Sequence, residues 1–125
     1  MVARAPVHPK VAGAVRGFFR IADLWRLDRG ECATLLSTST RSVDRWKQNA
    51  DSAELNRDQV ERISYVLGIY GGLHSVLSDS SLANGWVRQP NRDFGDAPPL
   101  NRMLAGNVSD LVEVRRYVDA WRIGW

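Results

Sequence analysis

Apolar residues recur along the chain at helical spacing, three and four apart, and mark out a succession of stripes. Val11, Val15, Phe18, Ala22 and Trp25 form the first, predicting a helix that ends near Leu27. Asp28 then stands three residues before Glu31, with Leu27 and Cys32 outside them. That is the signature of a capping box with its hydrophobic staple, and it predicts a helix over about 29–36. The run Ser37-Thr38-Ser39-Thr40 interrupts it, since hydroxyl side chains compete for backbone groups and favour caps over helix interiors. Ser39 is the expected cap of a third helix, Thr40 to about Gln48, with Val43 and Trp46 on one face.

A second capping box, Asn56 with Gln59, starts a long helix, its staple being Leu55 with Val60. The expected stripe is Val60, Ile63, Val66, Leu67, Tyr70, Leu73 and Leu77. Gly68, Gly71 and Gly72 interrupt the helix, each costing about 1 kcal/mol against alanine, and predict a kink or a close helix contact. Beyond Asp79 the pattern gives a short helix around Leu82 to Val87, a turn-rich loop, and a short helix begun by Pro98 and Pro99 with Gly106 beyond its end. A terminal helix from about Val108 carries Leu111, Val114, Val118 and Trp121. No stretch alternates with period two for long enough to make a strand, so the fold class expected is all-α.

The chain's 125 residues suit one compact domain or two very small ones sharing a core. With 44% hydrophobic and 25% charged residues, it reads as an ordinary globular protein. No apolar run spans a bilayer and the N-terminus lacks the apolar segment of a secretory signal, which predicts a cytoplasmic protein with no membrane partner. One cysteine and two histidines argue against structural zinc, and no cofactor is expected. Charge is divided unevenly. Residues 1–50 hold nine Lys or Arg against four acids, net +5, while the remainder holds eight against ten, net −2. A basic first half points to a polyanionic partner, although fifteen of the seventeen basic residues are Arg, as a GC-rich genome would also give.

Two helices of this size joined by about three polar residues have the dimensions of a helix-turn-helix, whose second helix enters the major groove. Ala33 suits the crowded crossing. Ser37 suits the turn, though glycine is more usual there, and Val43 with Trp46 supplies the buried face. Thr40, Arg41, Ser42, Arg45 and Lys47 are then left to meet DNA, arginine pairing with guanine edges and the hydroxyls and lysine holding phosphates. An ordinary helical hairpin has the same apolar pattern. A catalytic constellation is missing: Cys32 reads as a small core residue, His74 as a packing residue with one satisfied nitrogen, and His8 as part of a tail. No enzymatic activity is expected.

The segment Asn91-Arg92-Asp93-Phe94-Gly95-Asp96-Ala97-Pro98-Pro99-Leu100-Asn101-Arg102-Met103-Leu104-Ala105-Gly106-Asn107, with Trp86 before it and a helix reaching Trp121 after it, resembles the toxin-binding domain of the Xre/MbcA/ParS antitoxins. With the helix-turn-helix, the resemblance covers nearly the whole chain. Asp96 departs from it, standing where a second glycine is expected. The resemblance implies a type II antitoxin whose partner is a RES-domain toxin that depletes NAD, neutralised by a chain end inserted at the NAD pocket. Arg115, Arg116 and Arg122 would meet the groups that hold substrate, with Trp121, Gly124 and Trp125 completing the tail. Arg115 and Arg116 also suit a solvated helix face, Arg115 pairing with Asp119. The organisation expected is therefore a helix-turn-helix region over 1–53, a connecting and dimerising helix over 54–78 and a toxin-binding domain over 79–125. A homodimer would give two copies reading half-sites of operator DNA about 34 Å apart. The alternative is a stand-alone regulator whose C-terminal half senses a ligand or only dimerises.

Overall fold

The computed structural model describes residues 9–123, and side chains from Val11 to Arg122. His8, Gly124 and Trp125 lie outside the described residues. Seven α-helices appear among those described: α1 (Pro9–Leu24), α2 (Arg29–Leu36), α3 (Thr40–Gln48), α4 (Arg57–Val76), α5 (Ser80–Gly85), α6 (Pro99–Met103) and α7 (Val108–Ile123). Three 3-10 turns, at Ala50–Ser52, Trp86–Arg88 and Arg92–Phe94, join them. The described residues contain no strand, only an isolated bridge between Asn91 and Ala97, so the fold is all-α. No helix among them is long and apolar enough to cross a membrane.

Local chemistry sets the helix starts. Both capping boxes are closed: the Asp28 carboxylate accepts from the Glu31 N–H at 2.7 Å, and the Asn56 side chain from that of Gln59 at 2.8 Å. Ser39 caps α3 by accepting from the Ser42 N–H. The end of α1 falls short of the expected position near Leu27. Arg26 turns left-handed at φ 57, and the Leu27 N–H reaches back to the Ala22 carbonyl at 2.8 Å, closing the helix at Leu24. α2 ends the same way. Ser37 is left-handed at φ 53, and the Thr38 N–H bonds the Ala33 carbonyl at 3.0 Å.

α4 is the spine, packing against α1, α2, α5 and α7, with α7 its most extensive partner. Its buried face is Gln59, Arg62, Ile63, Val66, Ile69, Gly72 and Leu73. This departs from the expected stripe in mid-helix, where Ile69 is buried and Leu67 and Tyr70 are half-buried, and at the start of the helix. Val60 is 44% exposed and, with Leu55, Val11, Ala14 and Ile63, lines a shallow apolar depression. Two polar residues point inward in its place because long-range hydrogen bonds satisfy them. Gln59 Nε2 donates to the Ser37 carbonyl (3.3 Å), while Arg62 donates to the carbonyls of Leu35 (3.5 Å) and Gly106 (3.0 Å). The glycines serve close contact within the chain. A Cβ on Gly72 would stand 2.7 Å from Val118 Cγ1, and one on Gly68 would overlap the Arg115 guanidinium, so both admit α7; Gly71 faces open space.

Candidate functional site

α3 displays its face because Val43 and Trp46 are fixed in the core, 2% and 4% exposed. At about 100° per residue, Arg41 and Gln48 lie opposite them, with Asp44 and Arg45 on either flank. Arg41 and Arg45 are exposed, and no ion pair among the described residues engages either. Thr40 is exposed beside them. Ser42 is half-buried and committed to the cap, its hydroxyl accepting from Ser39 Oγ at 3.2 Å. Lys47 sits toward α1, with Nζ 3.5 Å from Asp23 Oδ1. Of the five residues expected to face DNA, four are thus exposed, Lys47 with a solvent-exposed ion pair to Asp23, and Ser42 is half-buried at the cap.

A pairing outside that set crosses the same surface. Arg29, the first residue of α2, grips Asp44 bidentately, Nε donating to Oδ1 at 2.8 Å and Nη2 to Oδ2 at 2.5 Å. The hydrogen bond and the charge of Asp44 raise the Arg29 pKa further above its ordinary value. Sequence reasoning missed this pair because its members are fifteen residues apart on different helices. The only advance signal was one acid on an otherwise basic outward face.

The second surface is the C-terminal segment. Asn91 organises its loop: its side chain accepts from the Asp93 N–H at 2.9 Å, and its carbonyl from the N–H groups of Phe94 and Asp96. Gly95 and Asp96 are both left-handed, at φ 67 and 65, so Asp96 occupies the position expected for a second glycine in a conformation glycine favours. The loop folds Phe94 onto α7. There Trp86, Phe94, Tyr117 and Trp121 form one half-buried aromatic cluster, with ring centroids 5.0 Å apart for Phe94–Tyr117, 5.2 Å for Tyr117–Trp121 and 5.6 Å for Trp86–Trp121. The Tyr117 hydroxyl donates to Asp93 Oδ2 at 2.6 Å, and burial together with that bond raises its pKa.

Within this segment, Trp121 is engaged in the cluster. Arg115 is laid over Gly68, with Nε 3.3 Å from Asp119 Oδ2 and Nη1 3.5 Å from the Ser64 carbonyl. Arg116 and Arg122 are exposed on α7. Both histidine and cysteine expectations hold for the described positions: His74 Nε2 lies 2.9 Å from Asn84 Oδ1, and Cys32 is buried.

Two further arginines, unremarked in the sequence pattern, join the two surfaces. Arg62 is 7% exposed and ties α2 and the α6–α7 turn to α4, its Nε on Asp58 Oδ2 at 2.7 Å. Arg88 reaches back to the end of α1, donating to the carbonyls of Trp25 (2.8 Å) and Arg26 (2.7 Å) and to Glu31 Oε1 (3.1 Å).

The arrangement defines a helix-turn-helix protein whose C-terminal helices pack on the same long helix that supports the helix-turn-helix unit. Comparison with known proteins makes this specific. Residues 10–68 match the antitoxin Xre-like helix-turn-helix domain, and residues 73–124 match the antitoxin Xre/MbcA/ParS C-terminal toxin-binding domain. The chain belongs to the Xre/MbcA/ParS antitoxin family. It is 39% identical over 116 residues to the uncharacterized protein y4oB of Sinorhizobium fredii, covering 92% of this chain and 88% of that protein. Its fold is similar to a chain of the M. tuberculosis MbcT–MbcA toxin–antitoxin complex, with a TM-score of 0.58 and 25% identity over 94% of this chain and 97% of that one.

Proposed function

We propose that this antitoxin neutralises an NAD-depleting RES-domain toxin by occluding its active site, and that it represses its own operon from the cytoplasm through α3. The observation that carries the first part is the match of residues 73–124 to the family's toxin-binding domain, supported by the fold's similarity to a chain of the MbcT–MbcA complex. In this reading Arg116 and Arg122, exposed on α7, meet polar groups around the toxin's NAD pocket, and the tail with Gly124 and Trp125 enters it. Arg115 and Trp121 hold α7 in position and present its outer edge. Thr40, Arg41, Arg45 and Lys47 meet operator DNA, the arginines at base edges and Lys47 at phosphates, with Ser42 at the cap of the helix that carries them.

The test is co-expression with the neighbouring gene product, followed by copurification and measurement of intracellular NAD. Deleting residues 123–125 removes the tail but leaves Trp121 in its cluster. Loss of NAD protection with retained copurification is the outcome this reading requires. Full protection by the shortened chain rules out the tail as the plug, and failure of the full chain to copurify rules out that toxin as the partner. The reading also includes a homodimer on a palindromic operator. Because α7 of the same chain takes Gly68 and Gly72, the surfaces of α4 available to a second copy are those around Gly71 and Val60. Light scattering at tens of micromolar tests it, a monomer counting against it.

A further inference from the structure

We infer that Asp44, held by Arg29, is a base-reading residue that selects a cytosine in the operator. This deepens the DNA-binding reading above and rests on it.

Asp44 stands on the outward flank of α3 beside Arg41, where an unpaired carboxylate would face the phosphates and repel them. Arg29 removes that objection. Its bidentate grip offsets the charge and fixes the carboxylate plane from a neighbouring helix rather than from a flexible stem on α3 itself. A carboxylate has about four lone-pair sites. The two bonds to Arg29 occupy one on each oxygen and leave acceptors free, while the Nη1 hydrogens of Arg29 have no partner among the described residues.

What remains is a fixed acceptor-only group on the helix that enters the major groove. Donors there are the exocyclic amino groups of cytosine and adenine. Adenine sets its N7 acceptor beside the amino group, so a carboxylate meets repulsion along with attraction. Cytosine presents its N4 amino group without an acceptor of its own. Asp44 therefore favours cytosine, whereas Arg41 and Arg45 favour guanine, and the outward face of α3 carries both halves of a G·C-reading set.

The experiment uses the full-length chain and a labelled duplex of its own promoter, with every base pair of the protected half-site varied singly and binding read by fluorescence anisotropy. Wild type is expected to prefer cytosine at one position by about fivefold or more. Asp44→Ala should reduce that preference to less than about twofold while the other positions keep theirs. Asp44→Asn should move the preference at the same position toward adenine, because an amide can pair with both N6 and N7. Arg29→Ala should weaken binding to all sequences, and combining it with Asp44→Ala should recover part of that loss by removing the exposed carboxylate. Thermal melts of each variant identify any that fail to fold. If folded Asp44→Ala and Asp44→Asn keep the wild-type preference at every position, the Arg29–Asp44 pair only ties α2 to α3 and the inference is overturned. If wild type itself fails to bind the promoter at 50 mM salt, alone or copurified with its toxin, the DNA-binding reading falls and takes this inference with it.

Discussion

Ser37 sits in the left-handed turn between α2 and α3 with φ 53, a conformation that costs an ordinary L-residue about 1–2 kcal/mol. Glycine would relieve that strain but loses about 0.4–1 kcal/mol through the greater freedom of the unfolded chain. The net expectation for Ser37→Gly is a gain of about 0.5–1 kcal/mol in urea unfolding, with no gain for Ser37→Ala, which keeps the strain. The Gln59 bond to the Ser37 carbonyl survives both changes because it uses the backbone. Cys32 gives a pH-dependent test. Burial is the main cause that pushes its thiol from 9.0 up to about 11, with Asp28, Glu31 and Asp23 adding to the rise and Lys47 opposing it. The folded state thus holds the proton more tightly than the unfolded state. Its stabilising contribution is complete below about pH 9 and is lost as pH climbs toward about 11. Urea midpoints at pH 8 and pH 10.5 should converge more closely for Cys32→Ala than for wild type; an identical pH dependence in the two proteins would contradict the burial argument. At this scale the helix starts were readable because the capping partner lies three residues away, as with Asp28 and Glu31, Ser39 and Ser42, or Asn56 and Gln59, whereas the end of α1 was not, because nothing in the sequence marks Arg26 as left-handed.

Helix pairs depend on partners that lie farther along the chain. α4 and α7 meet so closely at Gly72 that an added methyl would stand 2.7 Å from Val118. Gly72→Ala should therefore cost about 1–3 kcal/mol by overpacking. Gly71→Ala, one residue away on the open side, should instead stabilise by about 1 kcal/mol through helix propensity alone. Opposite signs for neighbouring glycines, read by chemical denaturation, check the close approach without any assay of function. The sequence pattern indicated a close contact here but could not say with which helix, since small residues describe a gap and not its occupant. The same limit explains Val60. Periodicity alone placed it on the buried stripe, yet Gln59 and Arg62 take the inward positions because carbonyls of Ser37, Leu35 and Gly106 are there to receive them. The aromatic cluster was legible only in part: Trp86, Phe94 and Trp121 stood out as residues, but Phe94 joins the two tryptophans only through the left-handed pair Gly95 and Asp96 folding the loop back onto α7.

For the molecule as a whole, Arg62 and Arg88 bind the two surfaces into one body. Arg62→Met leaves the Leu35 and Gly106 carbonyls without this donor and should lower stability by about 1–3 kcal/mol. Hydrogen exchange should then show amides at the end of α2 and in the α6–α7 turn losing protection together; loss confined to one of them would show that the two halves open independently. The two family domains meet between residues 68 and 73, inside α4, which runs unbroken from Arg57 to Val76. No linker separates the helix-turn-helix domain from the toxin-binding domain. For protein evolution and engineering alike, this makes α4 a shared part and not a joint. A crossover that brings in a new toxin-binding half has to bring a matching helix surface with it, small residues opposite Arg115 and Val118 included, so the helix-turn-helix half and the toxin-binding half are inherited as a linked pair.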